Sequence, residues 1–504
     1  MIFNSWQFIL AFLPLTFAAF VVVQKYMGWS AAYVVLGLAS LVFYGHFSPL
    51  LLGILSVSVV SNYVIGNVLI RSAASGRPAR VLLIGAIVGN LAALAYFKYS
   101  NFLIDIANQF AGSGISRLDI ILPIGISFYT FIQIGYLVEA NSGRVKNQPF
   151  AHYLTFATFF PCVTAGPLLM QREFFSQLED RKDEAFDSRR IAMGVAMFSM
   201  GLFKKVVFAD SLAPHADAAF NAVAAGQSIE MAAAWTAALT YTFQLYFDFS
   251  GYTDMALGLG AIFGILLPLN FNSPFKATSI SDFWQRWHMT MTRFFTTFVF
   301  TPMSMNGMRR SMANGHGPLR RFVLSGMWPI VVTMFVAGVW HGAGWVFVIY
   351  GLVHGIAIAI NNFWKQFGFF KIPAVAGWAM TMSIVICGLV IFRSADVPTA
   401  LAILSAMWAV PMAAPQISAG MVEIGGTELM LMLALFSVIV LLLPNTQEIL
   451  SGEKTHTEAK QDPDASRSLV SWRPNAGWAF ATATALVIAV ASIGSDSSFL
   501  YYQF

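Results

Sequence analysis

Residues 322–364 read FVLSGMWPIVVTMFVAGVWHGAGWVFVIYGLVHGIAIAINNFW, and not one of them is Asp, Glu, Lys or Arg. A helix at the surface of a soluble protein keeps a charged face for water; this stretch has none to offer. A bilayer crossing takes about 20 apolar residues, so the run is long enough for two. Yet it carries two histidines, His341 and His354. It therefore predicts membrane helices, with polar side chains in a place where they are costly.

The rest of the chain agrees. Of 504 residues, 57% are hydrophobic and 11% are charged, against roughly 25% charged in a soluble domain. Phe occurs 46 times. A water-soluble globule cannot hide that much apolar surface, and a disordered chain has the opposite composition. Two cysteines, Cys162 and Cys387, exclude a disulfide-built secreted protein. Long apolar runs, in place of alternating segments of about ten residues, favour helices over a β-barrel. The expectation is an all-α, polytopic integral membrane protein. The net charge of +5 fits basic cytoplasmic loops better than nucleic acid, for which no motif is present. Residues 1–25 lack a basic n-region and a small-residue cleavage site, so they read as a first span and not as a removed signal peptide.

Basic loops set the topology. Arg71, Arg77 and Arg80 mark one cytoplasmic loop, and Arg172, Arg181, Lys182, Arg189 and Arg190 a second. Residues from Lys276 to Arg321 mark a third, and Lys454, Lys460, Arg467 and Arg473 a fourth. Parity then requires that 150–170 does not cross; its Pro161, Gly166 and Pro167 suit a broken or re-entrant segment. Only one of 232–248 and 252–268 crosses fully, and 400–416 does not. The count comes to about twelve crossings with both ends outside. Lys204 and Lys205 resist this scheme, since they fall near the outer end of 191–209; they snorkel, or that helix is tilted or shallow. Residues 1–444 read as the transmembrane core, 445–473 as a flexible cytoplasmic linker, and 474–504 as a final helix with an aromatic tail. No internal repeat is visible, which speaks against a secondary transporter.

His341 sits in Trp340-His341-Gly342-Ala343-Gly344-Trp345. Glycines thin the packing and leave room for a ligand; tryptophans wall off water; a neutral imidazole takes a proton near physiological pH. The bland alternative is a histidine bonded to a neighbouring helix, and His354 receives that reading. His288, in Asp282-Phe283-Trp284-Gln285-Arg286-Trp287-His288, is the second candidate. Its surroundings also suit an amphipathic helix at the cytoplasmic interface, with Trp284 and Trp287 as anchors. Arg286, Arg293, Arg309 and Arg310 meet either lipid headgroups or a phosphate-bearing donor such as a coenzyme A ester. Asp248 and Asp254, in YFDFSGYTD at 246–254, are expensive in an apolar segment unless paired. They orient a histidine, bind a cation or hold Arg286. The eight histidines are dispersed, with no HExxH or CxxC, so no metal site is expected; no Walker A, GxSxG or Rossmann signature occurs either.

These residues carry a resemblance. MIFNSWQFILAFLP at the start, LPIGISFYTF at 122–131, AGPL at 165–168, GLFKKVVFAD at 201–210 and YFDFSGYTDMALGLG at 246–260 belong to it. So do NFNSPFKATSISDFWQRWHMT at 270–290, VWHGAGWVFVIYGLVHG at 339–355, LPNTQEI at 443–449 and the terminal FLYYQF. Together they resemble the membrane-bound O-acyltransferases, in their bacterial alginate O-acetyltransferase-like branch. The resemblance implies a helical bundle with opposed cytoplasmic and periplasmic funnels in the bacterial inner membrane. It implies His341 as catalytic histidine and His288 as the second signature histidine, with Trp340, Trp284, Asp248 and Asp254 in support. It implies acetyl-CoA as donor substrate, with no bound cofactor, and an exopolysaccharide acceptor, as in alginate biosynthesis and biofilm matrix. A periplasmic acetyltransferase partner belongs to the same picture. The segment FFTTFVFTPMSMNGMRR at 294–310 departs from the Tyr-rich and Pro-Leu-Gly-Gly-Asn continuation common in the family. Related D-alanylation systems use a separate small peptide with a similar aromatic ending; here the tail is fused, and Tyr501 matches its tyrosine, a candidate acyl relay or else an interfacial anchor. The alternatives are D-alanyl transfer, lipid or protein acylation and, in a different class, a proton-coupled transporter.

Overall fold

The computed structural model describes residues 1–179, 187–368, 370–409, 424–450, 470–494 and 499–500. Among them the regular structure is helical throughout, with no β-strand. Seven helical runs are long and apolar enough to cross a membrane: Phe8–Gly45, Pro49–Ala74, Arg80–Ala111, Ser188–Ala224, Pro318–His341, Trp345–Phe367 and Ala374–Arg393. Three shorter apolar helices are Val397–Met407, Thr427–Leu442 and Ala476–Ala491. The chain is a multi-pass membrane protein.

Several segments take the shape their residues dictate. The first run is broken at Gly28, whose φ of 84° only glycine adopts readily. Residues 150–170 form no single span: helix Phe150–Thr158 stops at Phe159, a four-residue turn Phe160–Val163 follows, and the chain then leaves helical geometry. The two segments expected at 232–248 and 252–268 are instead one helix, Met231–Ile262, of 32 residues. Gly251 leaves it unbroken, because helix interiors tolerate a glycine at a cost of only about 1 kcal/mol. The linker expected at 445–473 has ordered ends. Asn445 caps helix Thr446–Leu450 with a reciprocal pair of bonds, Asn445 N–H to Glu448 Oε2 and Glu448 N–H to Asn445 Oδ1, both 2.8 Å. The Trp472 N–H donates to the Ile449 carbonyl. Residues 451–469 lie outside the described residues.

The chain packs as two compact units. The first holds 1–202, 252–268 and 479–503. Its core is aromatic: Phe3, Phe8, Phe12, Phe43 and Phe160 have ring centroids 5.0–6.3 Å apart in their contacts. Polar side chains pair across helices there: Asn62 and Asn90 exchange amide bonds, and Thr155 donates to the Tyr33 carbonyl at 2.7 Å.

The second unit holds 203–251 and 269–478. Its centre is a helical hairpin, Trp328–His341 against Trp345–Phe367. The two helices approach backbone to backbone. A Cβ added at Gly338 would strike the Phe347 carbonyl, and one at Gly351 the Met334 carbonyl. Small residues permit that approach, which in a membrane is driven by packing more than by exclusion of water.

Candidate active site

Two short helices carry the first histidine. Ser279 caps helix Ile280–Arg286 by accepting the Asp282 N–H at 3.2 Å. The chain then breaks at Trp287, and His288, at φ 46° and ψ 49°, starts helix Met289–Phe295. Histidine is among the few non-glycine residues enriched in that left-handed region. The interfacial amphipathic helix expected here is therefore corrected: the segment is kinked and its tryptophans are buried, Trp284 and Trp287 each 4% exposed. Trp287 stacks on Phe283 at 5.6 Å and meets Phe271 edge to face at 5.1 Å.

Asn270 orders His288. Its Oδ1 lies 3.2 Å from the Thr290 N–H, 2.9 Å from the Thr290 hydroxyl and 3.0 Å from His288 Nδ1. A backbone N–H can only donate, so the atom facing it is the amide oxygen. An amide oxygen can only accept, so His288 Nδ1 carries the proton and Nε2 presents the lone pair. Burial holds this imidazole far below its usual pKa, at about 3, so it is neutral at physiological pH. His288 lies outside the seven spanning helices.

The second histidine closes the hairpin helix. His341 is the last residue of Trp328–His341. Its ring centroid lies 6.5 Å from that of His288. Trp340 contacts both, 5.9 Å from His288 and 4.8 Å from His341, so the three rings form a triangle. Phe392 and Tyr350 contact the other sides of His341, at 5.2 and 6.0 Å. Thus the sequence-predicted pair, 53 residues apart in the chain, meets in one buried aromatic cluster. Of the two glycines that follow His341, Gly344 has room where a Cβ would stand, its nearest neighbour at 3.6 Å, and Gly342 has none. The space at Gly342 is filled by the Phe347 ring, and Gly338 serves the helix contact. Trp345 is half exposed, whereas Trp340 is buried.

Trp284 serves the third histidine. Its indole N–H donates to His354 Nδ1 at 3.2 Å, and Tyr350 packs on His354 at 4.6 Å. His354 is thus bonded to a neighbouring helix, as its plain surroundings in the sequence implied.

The acids and arginines divide. Asp248 does not hold Arg286. It pairs with Lys205, Nζ to Oδ1 2.8 Å, and Arg286 donates to Asp282 at 2.7 Å. Lys205 therefore does not snorkel; its side chain is 3% exposed. Asp254 is buried in the first unit. Arg293 is half-buried, while Arg309 and Arg310 stand exposed on helix Thr301–Ala313. Among the described residues, no three His, Cys, Asp or Glu side chains group as a metal site.

Tyr501 lies outside the described residues. The two residues before it are buried, and Phe499 stacks on Tyr252 at 4.4 Å, with Phe3 on Tyr252 at 4.9 Å. Asn270 and Tyr350 were missed as functional candidates. Asn270 stood in the quoted NFNSPFK string, but the signal that marks it is its partnership with residues eighteen and twenty positions on.

Comparison with known proteins now bears on this cluster. The model of the membrane-bound O-acyltransferase family matches residues 136–392, which include both His288 and His341. The chain belongs to the membrane-bound O-acyltransferase family. It is an O-acyltransferase, and a transporter is set aside. The peptidoglycan O-acetyltransferase of Helicobacter pylori is 35% identical over 443 residues, covering 81% of this chain and 80% of that protein. The probable alginate O-acetylase AlgI of Azotobacter vinelandii is 35% identical over 418 residues, covering 81% and 78%. The teichoic acid D-alanyltransferase of Bacillus subtilis is 29% identical over 248 residues, covering 48% of this chain and 60% of that protein.

Proposed function

We propose that this O-acyltransferase moves acetyl groups from cytoplasmic acetyl-CoA toward a polysaccharide acceptor outside the bacterial inner membrane. The observation that carries the reading is the buried His288–Trp340–His341 cluster, within a family whose relatives of similar length are named as O-acetylating enzymes. In the transfer, His341 takes the proton of the attacking hydroxyl. The hydroxyl oxygen bonds to the thioester carbonyl carbon, the C–S bond breaks, and the proton passes to the departing thiolate. The thioester brings its own activation, so the step needs no metal or redox group. With its proton on Nδ1, neutral His288 has no N–H at Nε2 and cannot polarise the thioester carbonyl as a donor. Its place in the reaction is to accept a hydrogen bond, from the incoming hydroxyl or from an amide N–H of the donor. Arg293, Arg309 and Arg310 are candidates for the donor's phosphates.

Tyr501 is a candidate relay that carries the acetyl group to a periplasmic acetyltransferase, and the burial of Phe499 supports a tail that docks. D-alanyl transfer is the second reading; it rests on the D-alanyltransferase relative, whose match covers about half of this chain.

The test uses purified protein in nanodiscs with acetyl-labelled acetyl-CoA. Label should leave CoA in wild type and not in His341→Ala. Equal turnover in the two proteins would refute the role of His341. Tyr501→Phe keeps an aromatic anchor and removes the hydroxyl; unchanged acetylation of the polymer in that variant would rule out the relay.

A further inference from the structure

The adjacent lysines of GLFKKVVFAD and the YFDFSG string are used by nothing in the transfer itself, yet they meet. Residues Lys204–Ala209 form a π-helical turn, one of five among the described residues, a geometry frequent at functional sites. Lys205 reaches Asp248 at 2.8 Å and Asp210 at 2.5 Å. Lys204 donates to the Ser250 hydroxyl at 3.2 Å. The two lysines thus grip the residues on either side of Phe249. The Phe249 ring stands edge to face against His288, centroids 4.7 Å apart, and against Phe271 at 5.1 Å. Phe271 adjoins Asn270, which fixes the His288 tautomer. The side chains of Lys205 and Asp248 are 3% and 1% exposed. A buried ion pair adds little net stability over apolar packing, but it does fix register.

We infer that Lys204 and Lys205 are positioning residues. They clamp Asp248 and Ser250 so that Phe249 holds the His288 ring in its working orientation. Two bonds from adjacent lysines, one to each neighbour of Phe249, fix the register and rotation of this helix against the Lys204–Ala209 turn. The link from clamp to rate rests on the reading of His288 given above; the link from clamp to His288 does not.

The experiment uses the full chain in nanodiscs. Lys205→Met alone would leave Asp248 buried without its counter-charge and is expected to fold poorly. The variants are therefore Lys204→Met, the charge-balanced double Lys205→Met with Asp248→Asn, and Phe249→Leu, which leaves both lysine bonds in place. Diethyl pyrocarbonate modification of His288 is followed by mass spectrometry, with buried His354 as internal standard. In all three variants His288 should be modified severalfold faster relative to His354. The kcat for acetyl release should fall on the order of 10²-fold, the cost of a misplacement near 1 Å, with KM for the donor unchanged. An unchanged ratio of His288 to His354 labelling would overturn the inference, as would a common rise of both, which marks general loosening. His288→Ala is assayed alongside. If it turns over like wild type, the functional reading of His288 fails while the labelling result still decides the clamp.

Discussion

Asn270→Leu is the sharpest perturbation of the site. The side chain is fully buried, as are His288 and Thr290, and leucine keeps its branched shape, with methyl tips that add some bulk. What changes is the acceptor. Asn270 Oδ1 serves three donors at 3.2, 2.9 and 3.0 Å. The Thr290 hydroxyl can turn away, but the Thr290 N–H and the His288 Nδ1–H cannot. Each buried donor left unmade costs about 1–3 kcal/mol, so the variant should lose about 2–6 kcal/mol. The imidazole also loses the partner that keeps its proton on Nδ1, and turnover should fall by about 10²–10⁴-fold, the usual contribution of a correctly protonated group. Asn270→Asp supplies the same acceptor with a charge; it should keep the tautomer and stabilise the protonated ring. The assays are thermal unfolding in detergent, label release from acetyl-CoA, and imidazole nitrogen NMR of histidine-labelled protein. A leucine variant with wild-type midpoint and rate would refute the argument. So would a wild-type spectrum with the His288 proton on Nε2.

Three further outcomes follow from the geometry. Gly338→Ala forces a methyl against the Phe347 carbonyl, with the Gly351 Cα 2.8 Å away. It should cost about 1–3 kcal/mol and lower turnover, whereas Gly344→Ala, whose methyl would have its nearest neighbour at 3.6 Å, should stay within about 0.5 kcal/mol of wild type. Thermal midpoints of the two variants check this. His288 has its folded-state pKa depressed from 6.5 to about 3, so between those values the unfolded chain binds more protons than the folded one. This group's contribution is fully present above pH 6.5 and is lost as pH falls, with a slope of about 1.4 kcal/mol per pH unit. The difference in unfolding free energy between wild type and His288→Asn, measured from pH 7 to pH 4, should show that slope, and a flat difference would contradict it. Glu448→Ala removes one half of the capping box and should cost about 1 kcal/mol. Asn445→Ala should cost more, because Asn445 also donates to Ser273 at 2.9 Å, and a ranking by midpoint in the reverse order would count against the box.

Much of the fold was legible because the membrane leaves so few choices. A run such as 322–364, with no charge in it, can only be helix in lipid. The two prolines and the glycine of 161–167 announced a broken segment, and the structure breaks there. The single helix Met231–Ile262 was not legible. Its middle carries Gln244, Asp248 and Gly251, which read as an interruption when the partner of Asp248 is unknown. That partner, Lys205, lies more than forty residues away and was itself the residue that fitted the topology least. The two anomalies explain each other: an acid and a base each too costly in the apolar interior form one ion pair.

The site divides in the same way. His341 and His288 stood out as candidates because each has tryptophans close by in the sequence, His341 with glycines beside it and His288 with arginines, whereas His354 lies in plain surroundings. Their role could not be read, because a histidine's chemistry depends on which nitrogen holds the proton, and that depends on a neighbour's neighbour. The Thr290 amide, which can only donate, fixes the Asn270 oxygen; the oxygen, which can only accept, fixes the His288 proton. Each link is short-range and obligatory, but the chain of links joins residues 270, 288 and 290, which only the break at Trp287 and the left-handed turn at His288 bring together. Sequence pattern names the residue types that can do the chemistry. The position of a proton is set by a fold-dependent series of acceptors and donors, and in this protein that series puts the His288 proton on Nδ1 and leaves the lone pair at Nε2.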